Sequence, residues 1–187
     1  FNYYKRKLME SQEQDFFVST LPKIKDIQNL ALKIAQVEES TILIEGASGT
    51  GKEMLARFIH QRSPQANAPF VEINCASLPE NLLESELFGY EPGAFTDAKK
   101  RKIGLIELAN GGTLFLDEIS EMQPSLQAKI LRVIETRAFK RLGGIRDIKT
   151  KLRIITATNR DIKAKVTEKE FREDLFYRLN VVSITTP

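Results

Sequence analysis

The chain has 187 residues, 42% of them hydrophobic and 28% charged, with a formal net charge of +3. That length suits one domain burying roughly two-thirds of the surface its unfolded form exposes, and so small a charge excess predicts a surface of mixed sign. A single cysteine, Cys75, excludes an intramolecular disulfide framework and fits a reducing cytoplasm, while no run approaches the roughly 18 apolar residues of a membrane-spanning helix.

Residues 1–15, FNYYKRKLMESQEQD, are polar and charged with little apolar stripe. We read residues 1–16 as a linker from an upstream regulatory segment and 17–187 as the folded domain. The chain opens on Phe1 and stops at Pro187 straight after an apolar run, so both ends are expected to be cut from something longer. Ile24, Ile27, Leu30, Leu32, Ile34 and Val37, mostly at helical spacing, predict a helix over about 23–38. Short apolar runs follow at Thr41–Glu45, Phe70–Ile73, Thr113–Leu116, Leu152–Thr156 and Val181–Ile184. Helix-like stretches near 51–62, 79–88, 103–109, 123–136 and 172–179 separate them. The alternation predicts an α/β domain with a parallel sheet flanked by helices, and AFKRLGGIRD around Gly143-Gly144 predicts a hairpin-like excursion.

ILIEGASGTGKEMLARFI carries a phosphate-loop pattern between a strand and a helix. Gly46, Ala47, Ser48, Gly49, Thr50 and Gly51 would let backbone N–H groups converge on phosphate oxygens at a helix N-terminus. Lys52 would reach the β- and γ-phosphates of ATP as a point charge. The following residue is Glu53, where a hydroxyl is usual. Two readings stand: its carboxylate holds Mg²⁺ directly or through water, or Thr50-x-x-Glu53 is a capping box.

GGTLFLDE ends a buried strand in two carboxylates. With a phosphate loop upstream, Asp117 is placed to order Mg²⁺ and Glu118 to polarise the attacking water. A further strand ends in Thr156-Ala157-Thr158-Asn159-Arg160, at the edge where a parallel sheet binds ligands. Asn159 would orient the water or contact the γ-phosphate; a turn or helix cap is its plainer reading. In GYEPGAFTDA, residues 89–98, Gly89, Pro92 and Gly93 punctuate an exposed loop bearing Phe95, and an apolar aromatic on a polar tip points to a partner. His60 and Cys75 lack metal-ligand neighbours in sequence and read as packing residues.

Together EGASGTGKE, EINCASLPENLLESELFGYEPGAFTDA, GGTLFLDEI, LQAKILRVIE, RLGG, ATNRD and FREDLFYRLNVV resemble the central AAA+ ATPase domain of bacterial enhancer-binding proteins, the activators of sigma-54 RNA polymerase. The resemblance runs from about Phe17 to Pro187 and includes Glu53. It implies a three-layer α-β-α P-loop NTPase with a five-stranded parallel sheet, lacking the helical lid that should follow Pro187. It implies Mg²⁺-dependent ATP hydrolysis in a ring of six or seven copies. It further implies that Asn74 holds Glu118 away from water until the site is primed, that Thr158 and Asn159 form the first sensor, and that Arg172 and Arg178 act on the neighbouring subunit's γ-phosphate. Surface ion pairing is the alternative for those two arginines. The loop Gly93, Ala94, Phe95, Thr96, Asp97, Ala98 would push on the sigma factor of the polymerase holoenzyme, but Asp97 replaces the second glycine of GAFTGA, which puts that engagement in doubt. Glycine at a loop tip permits positive φ, and Asp adds bulk and charge. A second pore loop, about Ala138–Lys149, carries Lys140, Arg141, Arg146 and Lys149 against Asp147; it is a solvated basic face or a contact to promoter DNA. A missing C-terminal domain would make the main DNA contact.

Overall fold

The structure is a computed structural model that describes residues 22–37 and 40–187. The linker expected over 1–16 lies outside the described residues. In chain order the elements are α1 (Pro22–Ala35), β1 (Ile42–Glu45), α2 (Lys52–Gln61), β2 (Phe70–Asn74), α3 (Glu80–Phe88), β3 (Gly89–Tyr90), β4 (Lys102–Ile103), α4 (Leu105–Leu108) and β5 (Thr113–Asp117). A 3₁₀ turn (Ile119–Glu121) leads to α5 (Pro124–Thr136), β6 (Ala138–Phe139), β7 (Ile148–Lys149), β8 (Arg153–Thr158), α6 (Ile162–Thr167), α7 (Glu173–Leu179) and β9 (Val182–Thr185).

Five strands form one sheet in the order β2-β5-β8-β1-β9, every pair parallel. Side chains alternate across it, so its two faces bury separate cores. Ile42 and Ile44 of β1, Phe115 of β5 and Ile155 of β8 pack on one face against Ala31 and Ile34 of α1 and Leu55 and Ile59 of α2. Leu43, Leu114, Leu116 and Ile154 face the other way, onto Leu87 of α3, Ile106 of α4, Ile130 of α5 and Leu175 of α7. Each fully buried Leu or Ile stabilises the fold by about 1.5–3 kcal/mol over leaving it in water. The central strand β8 is buried at all six positions, which is why its sequence shows no polar alternation.

α1 ends three residues earlier than its periodicity predicts. Its last carbonyls are taken by a buried cation: Arg153 donates to Ile34, Ala35 and Val37 oxygens at 2.5–3.0 Å. A guanidinium at a helix C-terminus complements the partial negative charge there. The short helix α6 was not anticipated. Asp161 caps it, accepting from the Lys163 and Ala164 N–H groups, a signal present in the sequence but obscured by the preceding ATNR.

Both excursions are two-stranded antiparallel ribbons. β3 pairs with β4, closing the 89–98 loop, and β6 pairs with β7, closing the second. Ile103, predicted to begin a helix over about 103–109, instead belongs with Lys102 to that closing strand, and the helix is only α4. The two excursions touch: the Leu142 N–H donates to the Gly89 carbonyl and the Glu91 N–H to the Leu142 carbonyl, both at 3.0 Å.

Candidate functional site

The sheet order puts β8 between β1 and β5. The loop after β1, the acids after β5 and the polar turn after β8 therefore converge on one carboxyl edge, the ligand-binding edge of an open parallel sheet.

The phosphate loop is built on Gly49 and Gly51, whose φ values of 81° and 83° suit glycine. Gly51 is the N-cap of α2 and no side chain caps the helix, so the capping box is not formed. Thr50 is otherwise engaged: its hydroxyl donates to the Ala47 carbonyl at 2.8 Å and lies 2.6 Å from the Thr186 hydroxyl. Glu53 is exposed and accepts from Arg57 one turn on, at 3.0 Å. Gly46 lies so close to Thr186 that a Cβ there would stand 1.8 Å from its hydroxyl oxygen. Thr186, which no sequence motif singled out, thus abuts the loop from the end of β9.

Lys52 is 7% exposed and folded back on the loop, donating to the Gly46 carbonyl at 2.9 Å and the Ala47 carbonyl at 3.0 Å. Its ammonium stands 4.0 Å from Glu118 Oε1. Glu118 takes a left-handed conformation (φ 50°, ψ 48°) that a non-glycine residue adopts only when held. Its Oε2 accepts the Asn159 backbone N–H at 3.1 Å.

Asn74 is not on Glu118. Its Nδ2 donates to Asp117 Oδ2 at 3.1 Å, and its Oδ1 accepts the Ala76 N–H. β2 and β5 are in register with Asn74 opposite Asp117, so the nearer carboxylate captures the amide. The other Asp117 oxygen accepts the Glu118 N–H at 3.0 Å. Thr158 is fully buried and turned inward onto Ser120, so of the sensor pair only Asn159 is exposed at the edge. Beside Asn74, burial pushes the Cys75 thiol up to about 12, aided by the negative charges of Asp117 and Glu118. That makes it an inert packing group. His60 also packs inside, its Nδ1 2.9 Å from the Thr113 hydroxyl.

Arg172 and Arg178 are exposed and ion-paired within the chain, Arg172 with Asp174 at 2.6 Å and Arg178 with Glu135 at 3.3 Å. The hydrogen bond from Arg172 holds the Asp174 carboxyl below its ordinary pKa. They lie at the start and end of α7, away from this chain's own phosphate loop in sequence and on a separate helix.

On the 89–98 loop, Phe95 is 45% exposed and sits edge-on to Tyr90 with ring centroids 4.9 Å apart. Among Gly93–Ala98 only Gly93 has positive φ, so Asp97 fits without the backbone freedom a glycine would supply. In the second loop Arg141 is not part of a free basic face. It is 12% exposed and held by Glu107 at 2.7 Å and Glu91 at 2.5 Å. Lys140 lies 4.0 Å from Asp147, and Ile145 at the tip is 91% exposed.

The sigma-54 interaction domain family matches residues 17–185. The chain belongs to that family. As a sigma-54 interaction domain it is an AAA+ P-loop NTPase domain of the sigma-54 activators. Regulatory protein AtoC of Escherichia coli (strain K12) is 53% identical over 180 residues, covering 96% of this chain and 39% of AtoC. The Nif-specific regulatory protein of Herbaspirillum seropedicae is 59% identical over 148 residues, covering 79% of this chain and 27% of the relative. The chain thus spans well under half the length of these relatives. NtrX from Brucella abortus, solved in complex with ATP, superposes with a TM-score of 0.86 at 38% identity, covering 99% of this chain and 39% of NtrX. Among the described residues no helix is long and apolar enough to cross a membrane.

Proposed function

We propose that this domain binds ATP in the loop Gly46–Glu53 and hydrolyses it, driving the 89–98 loop against a sigma-54 RNA polymerase closed promoter complex. The observation that carries the reading is the convergence of Lys52 and Glu118, 4.0 Å apart, at an edge shared by three strand ends. A cation for the phosphates and a base for water are the two groups phosphoryl transfer to water requires. NtrX from Brucella abortus, a relative of known structure, has been solved with ATP and with ADP.

Backbone N–H groups of the loop would cradle the phosphates, and Lys52 would exchange its carbonyl partners for phosphate oxygens. That exchange leaves Glu118 beside a neutralised neighbour, free to take a proton from the attacking water. Asn159, exposed at the edge, would orient that water. Asp117 offers hard carboxylate oxygen beside Glu118, and Glu53 offers another on the first turn of α2. One or two carboxylates plus substrate phosphates are the usual donor set for Mg²⁺, so these residues fit it and would hold it. When bound, Mg²⁺ neutralises charge developing on the phosphate oxygens.

Arg172 and Arg178 would leave their ion pairs to reach a neighbouring copy's nucleotide in a ring of six or seven. Both pairs are exposed and so cost little to break. Asp97 sits in an ordinary backbone conformation, which favours an intact sigma-factor loop over a disabled one. The test is nucleotide binding and turnover in the full-length protein. Lys52→Ala should abolish binding, and Glu118→Gln should bind ATP without hydrolysing it. Normal turnover by Glu118→Gln would sink the assignment. Capture of sigma-54 with a transition-state nucleotide mimic decides the partner: no complex with wild type but a complex with Asp97→Gly would favour an ATPase acting on another target.

A further inference from the structure

The acid at 118 ends no regular element; it is the left-handed N-cap of a single 3₁₀ turn, Ile119–Glu121. Such a turn has little intrinsic rigidity. What holds it is a buried polar cluster at the far side of the sheet edge. Ser120 is 2% exposed and Thr158 is fully buried. The Arg160 N–H donates to the Thr158 hydroxyl at 3.0 Å, which donates to Ser120 Oγ at 2.9 Å. Lys165 of α6 donates to the Ser120 carbonyl at 3.0 Å. Glu121, the last residue of the turn, takes Arg160 at 2.9 Å and Lys165 at 3.3 Å.

These contacts run between the turn and the residues flanking Asn159. Thr158 and Arg160 bracket the one whose N–H holds the Glu118 carboxylate. The acid and its N–H donor are therefore tied together twice, once by their own bond and once through the two hydroxyls. We propose that Ser120 is a positioning residue for Glu118: its buried hydroxyl, bonded to that of Thr158, locks the turn bearing the acid to the end of β8. The Ser120 hydroxyl is buried against Thr158, so its effect on the reaction is indirect. It sets where the Glu118 carboxylate stands relative to the loop. Displacements of about 1 Å at a reacting group cost up to a hundredfold in rate, so one lost hydroxyl bond suffices for a measurable effect.

The inference rests on the hydrolysis reading above, and the experiment separates the two. Steady-state ATPase, affinity for a fluorescent ADP analogue and thermal midpoint are measured on the full-length protein and its Ser120→Ala, Thr158→Val and doubly substituted variants, with Glu118→Gln alongside. Ser120→Ala should lower kcat roughly tenfold while the ADP affinity stays within about twofold, a split that misplacing the acid produces and general loosening does not. Both substitutions break the bond the two hydroxyls share, and Thr158→Val also removes the acceptor of the Arg160 N–H, so the double variant should be no slower than Thr158→Val alone. A Ser120→Ala kcat within about twofold of wild type overturns the proposal, as does a loss of ADP affinity in step with kcat. Should Ser120→Ala fail to fold, Thr158→Val, nearly isosteric and lacking only the hydroxyl, must show the same kcat-specific loss or the proposal falls. If Glu118→Gln turns over normally, it is the hydrolysis reading that has failed.

Discussion

Acidification should destabilise this domain through one side chain, His60. The ring is 5% exposed, packs at a tilt on Phe70 with centroids 5.3 Å apart, and shares a hydrogen bond with Thr113. Burial is the main cause that lowers its pKa from 6.5 to about 4. The unfolded chain therefore takes up a proton as pH falls through 6.5, while the folded chain resists until about 4. Stability is intact above that window and lost progressively within it. Integrating the difference gives a loss of about 2 kcal/mol by about pH 5 and about 3 kcal/mol once both states are protonated. Against a typical total of about 5–15 kcal/mol that is a large share. Urea unfolding at about pH 8 and pH 5, for wild type and His60→Gln, isolates the effect, since the carboxylates titrate alike in both and cancel. Wild type should lose about 2 kcal/mol more than the variant between the two pH values. Equal losses would refute the reasoning, as would an imidazole resonance titrating near the ordinary value in the folded protein.

Gly46→Ala should weaken nucleotide binding by more than about tenfold, because the new methyl displaces either Thr186 or the loop; adding Thr186→Gly should recover part of the loss in an ADP titration. Cys75 should resist thiol reagents in the folded protein, its pKa of about 12 and its burial leaving almost no thiolate, and should react at once in denaturant. Arg141→Met leaves Glu91 and Glu107 facing each other without their shared cation; it should cost about 1–3 kcal/mol by urea unfolding and expose the 89–98 loop to protease. Adding Glu107→Gln should restore part of that stability, because it removes the uncompensated charge.

The phosphate loop, the acidic pair and the alternation of strands with helices were legible in the sequence. Each is a local pattern, a spacing of glycines, a strand that ends in acids, a period that switches between two and 3.6, and local patterns survive in one dimension. Boundaries were less legible. α1 stops early because Arg153, more than a hundred residues away, takes its last carbonyls, and Lys102-Ile103 became a strand because Gly89-Tyr90 was there to pair with it.

Partnerships were decided only in three dimensions. The resemblance implies a switch role for Asn74 toward Glu118, and the register of β2 on β5 sets its amide against the neighbouring Asp117. Arg141 looks like one member of a basic loop until the two excursions meet and two acids enclose it. Ser120 and Thr186 carry no motif at all, and their hydroxyls matter here because the fold sets them against Thr158 and Thr50. By itself the sequence determined which chemistries the sheet edge holds, since residue type and spacing along a strand settle that. The tertiary structure decided which of those groups reach one another, because hydrogen bonds form only within about 3 Å and only strand order and register bring distant residues that close.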